Sequence, residues 1–265
     1  MFDRFQRKIH YLRVSVTDLC NLRCVYCMPA EGVSLKRHEE ILSFEEIEEI
    51  VRAAVDLGID KVRLTGGEPL VRRDILTLVG RIGAIQGIND LSITTNGVLL
   101  PRYADALRAA GVDRVNISID SLDPARYREI TRGGRVEEAL AGVEAALNAG
   151  FEKVKINCVI NKTPDEPDAI TVAGLGARKG IEVRFIRKMD TVKGEFWKVI
   201  GGHGGHCASC NRLRVTSDGR VFPCLFSDIC YSVREMGAAD ALAAAVEAKP
   251  ASGIRSNNQF YSIGG

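Results

Sequence analysis

Cys20-Asn-Leu-Arg-Cys24-Val-Tyr-Cys27 is the stretch on which the reading of this chain turns. Its cysteines are spaced C-x3-C-x2-C, and the next cysteine along the chain is Cys158. Zinc sites favour paired C-x2-C knuckles with four ligands in all. Ferredoxin runs bring a fourth cysteine nearby. Three thiolates alone suit three irons of a cubane [4Fe–4S] cluster and leave its last iron without a protein ligand. An open iron can hold a small molecule and pass it an electron. Cys20, Cys24 and Cys27 are therefore expected to be metal ligands with a part in catalysis.

Outward from this loop, short β-branched runs alternate with amphipathic stretches. Strands are expected near 11–17, 61–65, 91–95, 113–119, 153–160 and 182–187, with helices near 44–57, 73–84, 102–110, 124–130, 134–149 and 166–179. Ser43-Phe-Glu-Glu46 reads as a capping box before the first helix. Gly58, Gly111, Gly150 and Gly180 sit where helices should stop. Strand–helix repetition argues for an α/β fold with a parallel sheet, and six such units suit a partial barrel. The expected division is a barrel over 1–190 followed by a smaller segment over 191–265.

Residues two apart on a strand share a face. One face then carries Arg13, Ser15 and Thr17, Lys61, Arg63 and Thr65, Ser92, Thr94 and Asn96, Asn116, Ser118 and Asp120, Lys153, Lys155 and Asn157, and Glu182, Arg184 and Ile186. The intervening positions are mostly Leu, Val, Ile or Phe. Helices covering the outside of a barrel would take the apolar face, which leaves the polar face to line the lumen. Buried lysine and arginine without partners would cost several kcal/mol per ion, of order 5, so an anionic ligand inside the barrel is expected. A polar face open to bulk solvent is the alternative.

Two further motifs fall at informative places. Thr65-Gly-Gly-Glu-Pro69 follows the second strand, where paired glycines let a backbone approach a ligand closely. Cys207, Cys210 and Cys224 form C-x2-C-x13-C, and Asp218-Gly219 marks a hairpin turn that would fold Cys224 back on the pair. Spacing alone leaves zinc open there, with His203, His206 or Cys230 as fourth ligand. Arg212 and Arg214 would share a strand face, and arginine forks suit phosphate oxygens.

Composition excludes little and points nowhere else. A net charge of +2 asks for neither nucleic acid nor membrane, and there is no run of 18 apolar residues. The N-terminus lacks a signal-peptide pattern, so eight cysteines favour metal or cluster binding over disulfides and a cytoplasmic setting.

The cysteine loop resembles that of the radical S-adenosylmethionine (SAM) enzymes, with the usual aromatic, Tyr26, before the third cysteine. The wider stretch from Leu12 to Pro29 is similar to the GTP 3′,8-cyclase family of molybdenum cofactor synthesis, also called molybdenum cofactor biosynthesis protein A. The likeness covers 10–190, 206–230 and the last few residues. It implies a partial (βα)6 radical SAM barrel with a small C-terminal auxiliary-cluster segment. It also implies SAM contacts from Tyr26, Gly67, Ser118 and Met189. By the same resemblance Cys207, Cys210 and Cys224 hold a second [4Fe–4S] cluster facing the guanine. Arg13, Arg63, Thr94, Lys155, Arg184, Arg212, Leu213 and Arg214 contact GTP, with Arg212 and Arg214 also taking part in catalysis. The implied reaction is reductive cleavage of SAM to a 5′-deoxyadenosyl radical, which removes the ribose 3′ hydrogen. C3′ then attacks C8, giving (8S)-3′,8-cyclo-7,8-dihydroguanosine 5′-triphosphate. A reductant such as flavodoxin or ferredoxin, a downstream cyclic pyranopterin monophosphate synthase and a homodimer follow by family analogy. A Gly264-Gly265 tail reaching into the active site does too.

One departure is plain. Only 17 residues separate Met189 from Cys207, where the cyclases carry a much longer segment, and Gly201-Gly-His-Gly-Gly-His206 reads as a short bridge. Two other readings stay open: a radical SAM enzyme acting on a peptide or another nucleotide, and a non-catalytic zinc-binding module.

Overall fold

In the computed structural model, which describes residues 1–34 and 36–264, all six expected strands and the six expected helices between them form. They run β1 (Tyr11–Ser15), α1 (Phe44–Asp56), β2 (Lys61–Thr65), α2 (Ile75–Gly83), β3 (Asp90–Thr95), α3 (Leu100–Ala109), β4 (Arg114–Ser118), α4 (Pro124–Thr131), α5 (Val136–Asn148), β5 (Lys153–Ile160), α6 (Pro167–Lys179) and β6 (Glu182–Arg187). Ser43 caps α1 as expected: its side chain accepts from the Glu46 N–H, and the Glu46 carboxylate accepts from the Ser43 N–H. β1 stops short of residue 17 because the chain there turns to meet the β2 loop, where Thr17 O accepts from Gly67 N at 2.8 Å.

The six strands pair in parallel, each with its neighbour in sequence, and the apolar positions meet the helices. Leu12, Val14, Val62, Leu64, Ile93, Val115, Ile117 and Ile156 are fully buried in one core with Ile47, Leu78, Leu107 and Val143 from the helices. Each such side chain stabilises the fold by roughly 1.5–3 kcal/mol. The alternation therefore fixes which face looks inward. Cys158 is among the core residues, on the apolar parity of β5.

Beyond β6 the chain crosses from one edge of the sheet to the other. β7 (Arg212–Val215) pairs in parallel with β1, opposing Tyr11 to Arg212 and Arg13 to Arg214. β8 (Arg220–Phe222) and β9 (Tyr231–Ser232) continue the sheet antiparallel, giving the order β6-β5-β4-β3-β2-β1-β7-β8-β9. The expected hairpin turn joins β7 to β8, with Gly219 at φ +84°, where a side chain is disfavoured. Helices α7 (Val233–Met236) and α8 (Ala238–Glu247) follow, and α8 packs its Ala241, Leu242 and Ala245 into the main core beside α1. Helix α9 (Phe260–Ile263) closes a smaller cluster with Phe222, Leu225 and Phe226. Among the described residues no helix is long and apolar enough to cross a membrane.

Candidate active site

A cavity of about 330 Å³ opens on the polar face of the sheet. Cys20, Cys24 and Cys27 line it together with Cys207, Cys210 and Cys224, all six free thiols. The two cysteine triads, far apart in sequence, thus share one chamber.

The N-terminal triad is held from both flanks. On one side the Thr65–Pro69 loop clamps the approach to Cys20: Gly67 N donates to Thr17 O and Glu68 N to Leu19 O, both at 2.8 Å. A Cβ on Gly67 would lie 2.3 Å from Leu19 O, so the close crossing requires glycine there. Glu68 is not among the residues lining the cavity and braces the loop, accepting from Leu70 N, Thr95 Oγ1 and Asn96 N. Burial pushes its carboxyl up to about 7 despite those three donors. On the other flank Arg23 N and Val25 N donate to the carbonyls of Thr131 and Ile130, and Arg132 Nη1 reaches Met28 O at 2.8 Å. Asn96 Nδ2 ties Asn21 at 2.7 Å and approaches Cys20 Sγ at 3.9 Å.

Burial, the Asp120 carboxylate and the neighbouring thiols push Cys24 far up, and burial pushes Cys27 up to about 12. Three crowded, half-buried thiols that resist ionisation alone are suited to a cationic iron–sulfur core, which deprotonates its ligands outright. Leu22 N aims at Cys20 Sγ and Phe226 N at Cys224 Sγ, both at 3.4 Å, so each triad already offers a backbone donor to a sulfur. At the second triad burial raises Cys210, but Lys249 and Arg212 outweigh it and bring the thiol down to about 7. The donor set fits thiolate-ligated clusters at both triads. Among the described residues no three Cys, His, Asp or Glu converge as one metal ion would require, and a cubane, with each thiolate on its own iron, does not ask for that.

Of the residues expected to meet SAM, Tyr26, Gly67, Ser118 and Met189 all line the cavity. The Tyr26 hydroxyl, however, donates to Asp120 Oδ2 at 2.6 Å, while Asp120 Oδ1 accepts from Val159 N. Burial raises Asp120 to about 6. Of the expected substrate contacts, Arg13, Arg63, Thr94, Arg184, Arg212 and Arg214 line the cavity too. The Thr94 hydroxyl is buried and has no hydrogen-bond partner among the described residues. Leu213 differs: its side chain lies on the opposite face, fully buried in the core, which leaves only its backbone available to a ligand. Lys155 also stays off the cavity wall, because its ammonium is taken by Glu182, which pairs with Arg184 as well.

The lumen cations are unequally neutralised. Asp90 serves Lys61 and Arg114, and Glu182 serves Lys155 and Arg184. Among the described residues no carboxylate pairs with Arg63, Arg212 or Arg214. Arg63 bonds Ser92 Oγ and lies over the Tyr11 ring, and Arg214 donates to the carbonyls of Ile263 and Gly264. The end of the chain thus meets the cavity at Arg214; Gly265 lies outside the described residues.

Some lining residues have no local sequence signal. The Gly/His bridge contributes Gly202, His203, Gly204, Gly205 and His206 to the lining, and Arg187 stacks on Trp197 at 3.7 Å. Cys230 lies elsewhere, on an open polar groove with Lys36, Asp218 and Arg234.

A half-barrel of parallel strands with a three-cysteine loop at their carboxyl ends defines a radical SAM enzyme, and the model of the radical SAM superfamily matches residues 14–172. Within that class the chain belongs to the GTP 3′,8-cyclase family. It is 44% identical over 298 aligned positions to the GTP 3′,8-cyclase of Alkaliphilus oremlandii, covering 94% of this chain and 93% of that one. With the GTP 3′,8-cyclase of Moorella thermoacetica it is 38% identical over 323 positions that take in both whole chains. Since this chain has 265 residues, dozens of those positions have no counterpart here. Among solved structures, Streptococcus suis SuiB bound to S-adenosylmethionine superposes with a TM-score of 0.69 at 17% identity, covering 89% of this chain and 65% of that one. SuiB bound to its precursor peptide SuiA gives 0.60 at 21% identity, over 71% and 41%. These likenesses speak for the fold alone.

Proposed function

We propose that this chain is a GTP 3′,8-cyclase, converting GTP to (8S)-3′,8-cyclo-7,8-dihydroguanosine 5′-triphosphate at the first step of molybdenum cofactor synthesis. The observation that carries it is the single cavity lined by both cysteine triads and by Arg63, Arg212 and Arg214, for which no carboxylate partner is found among the described residues. When bound, a [4Fe–4S] cluster at Cys20, Cys24 and Cys27 supplies the electron that splits SAM into methionine and a 5′-deoxyadenosyl radical. The protein's own residues do the rest by binding and exclusion. Gly67, Ser118, Met189 and the Tyr26 ring border the SAM position. Arg13, Arg63, Arg212 and Arg214, on adjacent strands in register, offer guanidinium forks to a triphosphate. Lys155 and Arg184 extend that surface once phosphate displaces Glu182. Thr94 offers its unpartnered hydroxyl. Cys207, Cys210 and Cys224 would hold the second cluster against the base. Holding C3′ against C8 in one conformer, with water kept out by the Gly/His bridge, spares the cyclisation, which is already intramolecular, its conformational search.

A flavodoxin- or ferredoxin-like reductant, a synthase that takes up the cyclised nucleotide and a cytoplasmic setting that keeps thiols reduced belong to the same reading. The test is anaerobic turnover of reconstituted protein with SAM, dithionite and GTP deuterated at C3′. Deuterium in 5′-deoxyadenosine together with the cyclised product is expected. Deoxyadenosine released at the same rate without GTP, and no label transfer, would overturn the proposal.

A further inference from the structure

Lys249 is buried to 2% exposure, which is unusual for an ammonium. It lies just after α8, and no local motif marks it. Two of its three N–H donors are used: one goes to Arg212 O at 2.7 Å and another to Pro223 O at 2.6 Å. Arg212 follows Cys210 by two residues, and Pro223 immediately precedes Cys224. The ammonium therefore ties the start of β7 to the residue just after β8, the two places next to which these cysteines lie. The Cys210 thiol is close enough to act on the ammonium.

The neighbouring cation makes the contrast. Arg7 donates to the carbonyls of Cys207, Pro250 and Ala251, and it is neutralised by Asp3 at 2.6 Å. Among the described residues no carboxylate plays that part for Lys249; the groups near it that can carry negative charge are Cys210 and Cys224. A buried charge is kept only where an opposite charge meets it. A centre ligated by three thiolates carries net negative charge and would provide it.

We propose that Lys249 is the built-in counter-ion of the Cys207/Cys210/Cys224 centre. As a positioning residue it holds the start of β7 and the end of β8 beside the ligand-bearing turns, and its charge would make the bound cluster easier to reduce. This rests on the reading of that triad as a second [4Fe–4S] site. Nothing in the reaction requires Lys249 to touch substrate.

The test uses the full-length chain carrying Cys24→Ala, so that only the second centre contributes iron, compared with the same chain carrying Lys249→Met or Lys249→Arg. Iron and sulfide are counted, and the reduced cluster is titrated against potential by electron paramagnetic resonance. The parent is expected to hold about four irons. Lys249→Met is expected to shift the midpoint to more negative potential, or to lose the cluster, while Lys249→Arg restores parental behaviour. SAM cleavage by Lys249→Met with Cys24 intact shows that the variant is folded. An unchanged midpoint with full iron in Lys249→Met overturns the proposal, as does cluster loss in both variants, which would make shape rather than charge the requirement. A parent that holds zinc or no iron overturns the second-cluster reading and the Lys249 role with it, so the two failures are told apart.

Discussion

Glu68 and Gly67 are adjacent, and both act on the cluster loop by packing before any chemistry begins. Gly67 leaves room for Leu19 O, so Gly67→Ala forces the backbone leading to Cys20 outward. The expected cost is about 1–3 kcal/mol, with iron at the N-terminal site reduced, measured by thermal melts and iron counting. Glu68 has a raised folded carboxyl, about 7 against an ordinary 4.5, because burial outweighs its three donors. A raised pKa means the folded state holds its proton more tightly. Its contribution is full below pH 4.5 and is lost as the pH climbs to about 7. The difference in unfolding free energy between the native chain and Glu68→Gln should therefore shrink by on the order of 3 kcal/mol over that window, as read by denaturant titration at several pH values. A difference that grew with pH would refute the assignment. At this scale the motif residues were legible because spacing alone marks them. The clamp made by Glu68 and the site of Lys249 were not, since each depends on partners brought in from other parts of the chain.

Among the elements, the strand faces were the most readable part of the chain. Alternation along β1 to β6 told which side chains look inward, and Arg13, Arg63, Ser118 and Arg184 do line the cavity. It also put Arg212 and Arg214 on one face. It did not tell that β7 would pair with β1, because parity is a property of one strand and partner choice is not. That pairing sets Arg214 beside Arg13 and brings both cysteine triads to one chamber. Lys155 shows the limit of parity from another side: an inward-facing position was captured by Glu182 on the next strand. Helix α9 belongs to the same assembly, because Ile263, 1% exposed, anchors the tail whose carbonyls meet Arg214. Ile263→Asp would bury an unpaired charge in the small cluster with Phe222 and Phe226, so the tail should detach while the main core stays intact. Expected outcomes are faster proteolysis near 255–264, a nearly unchanged melting temperature and GTP affinity down about tenfold, or about 1.4 kcal/mol by titration calorimetry. Unaltered GTP affinity with a released tail would show that Arg214 needs no help from it.

Over the whole molecule, the two triads are supported by separate structure. Cys20, Cys24 and Cys27 are fastened to the loops after β2 and β3 and to the end of α4. Cys207, Cys210 and Cys224 are fastened through Arg7, Lys249 and the strap over 249–254. Apart from the tie of Ser217 and Lys36 to Asp18, these two sets of hydrogen bonds share no partner, so the sites should load independently and be additive under mutation. Intact protein reconstituted without air should carry about eight irons with matching sulfide. Cys24→Ala should keep about half of that and lose SAM cleavage altogether. Cys210→Ala should also keep about half, yet still release 5′-deoxyadenosine, without label from C3′-deuterated GTP entering it. The asymmetry follows from the proposed division of labour within one cavity, in which the N-terminal triad would make the radical and the second triad would hold the base whose ribose faces it. Loss of both clusters in either single variant would mean that the chamber folds around its cofactors as a unit, and the independent-support argument would then fail.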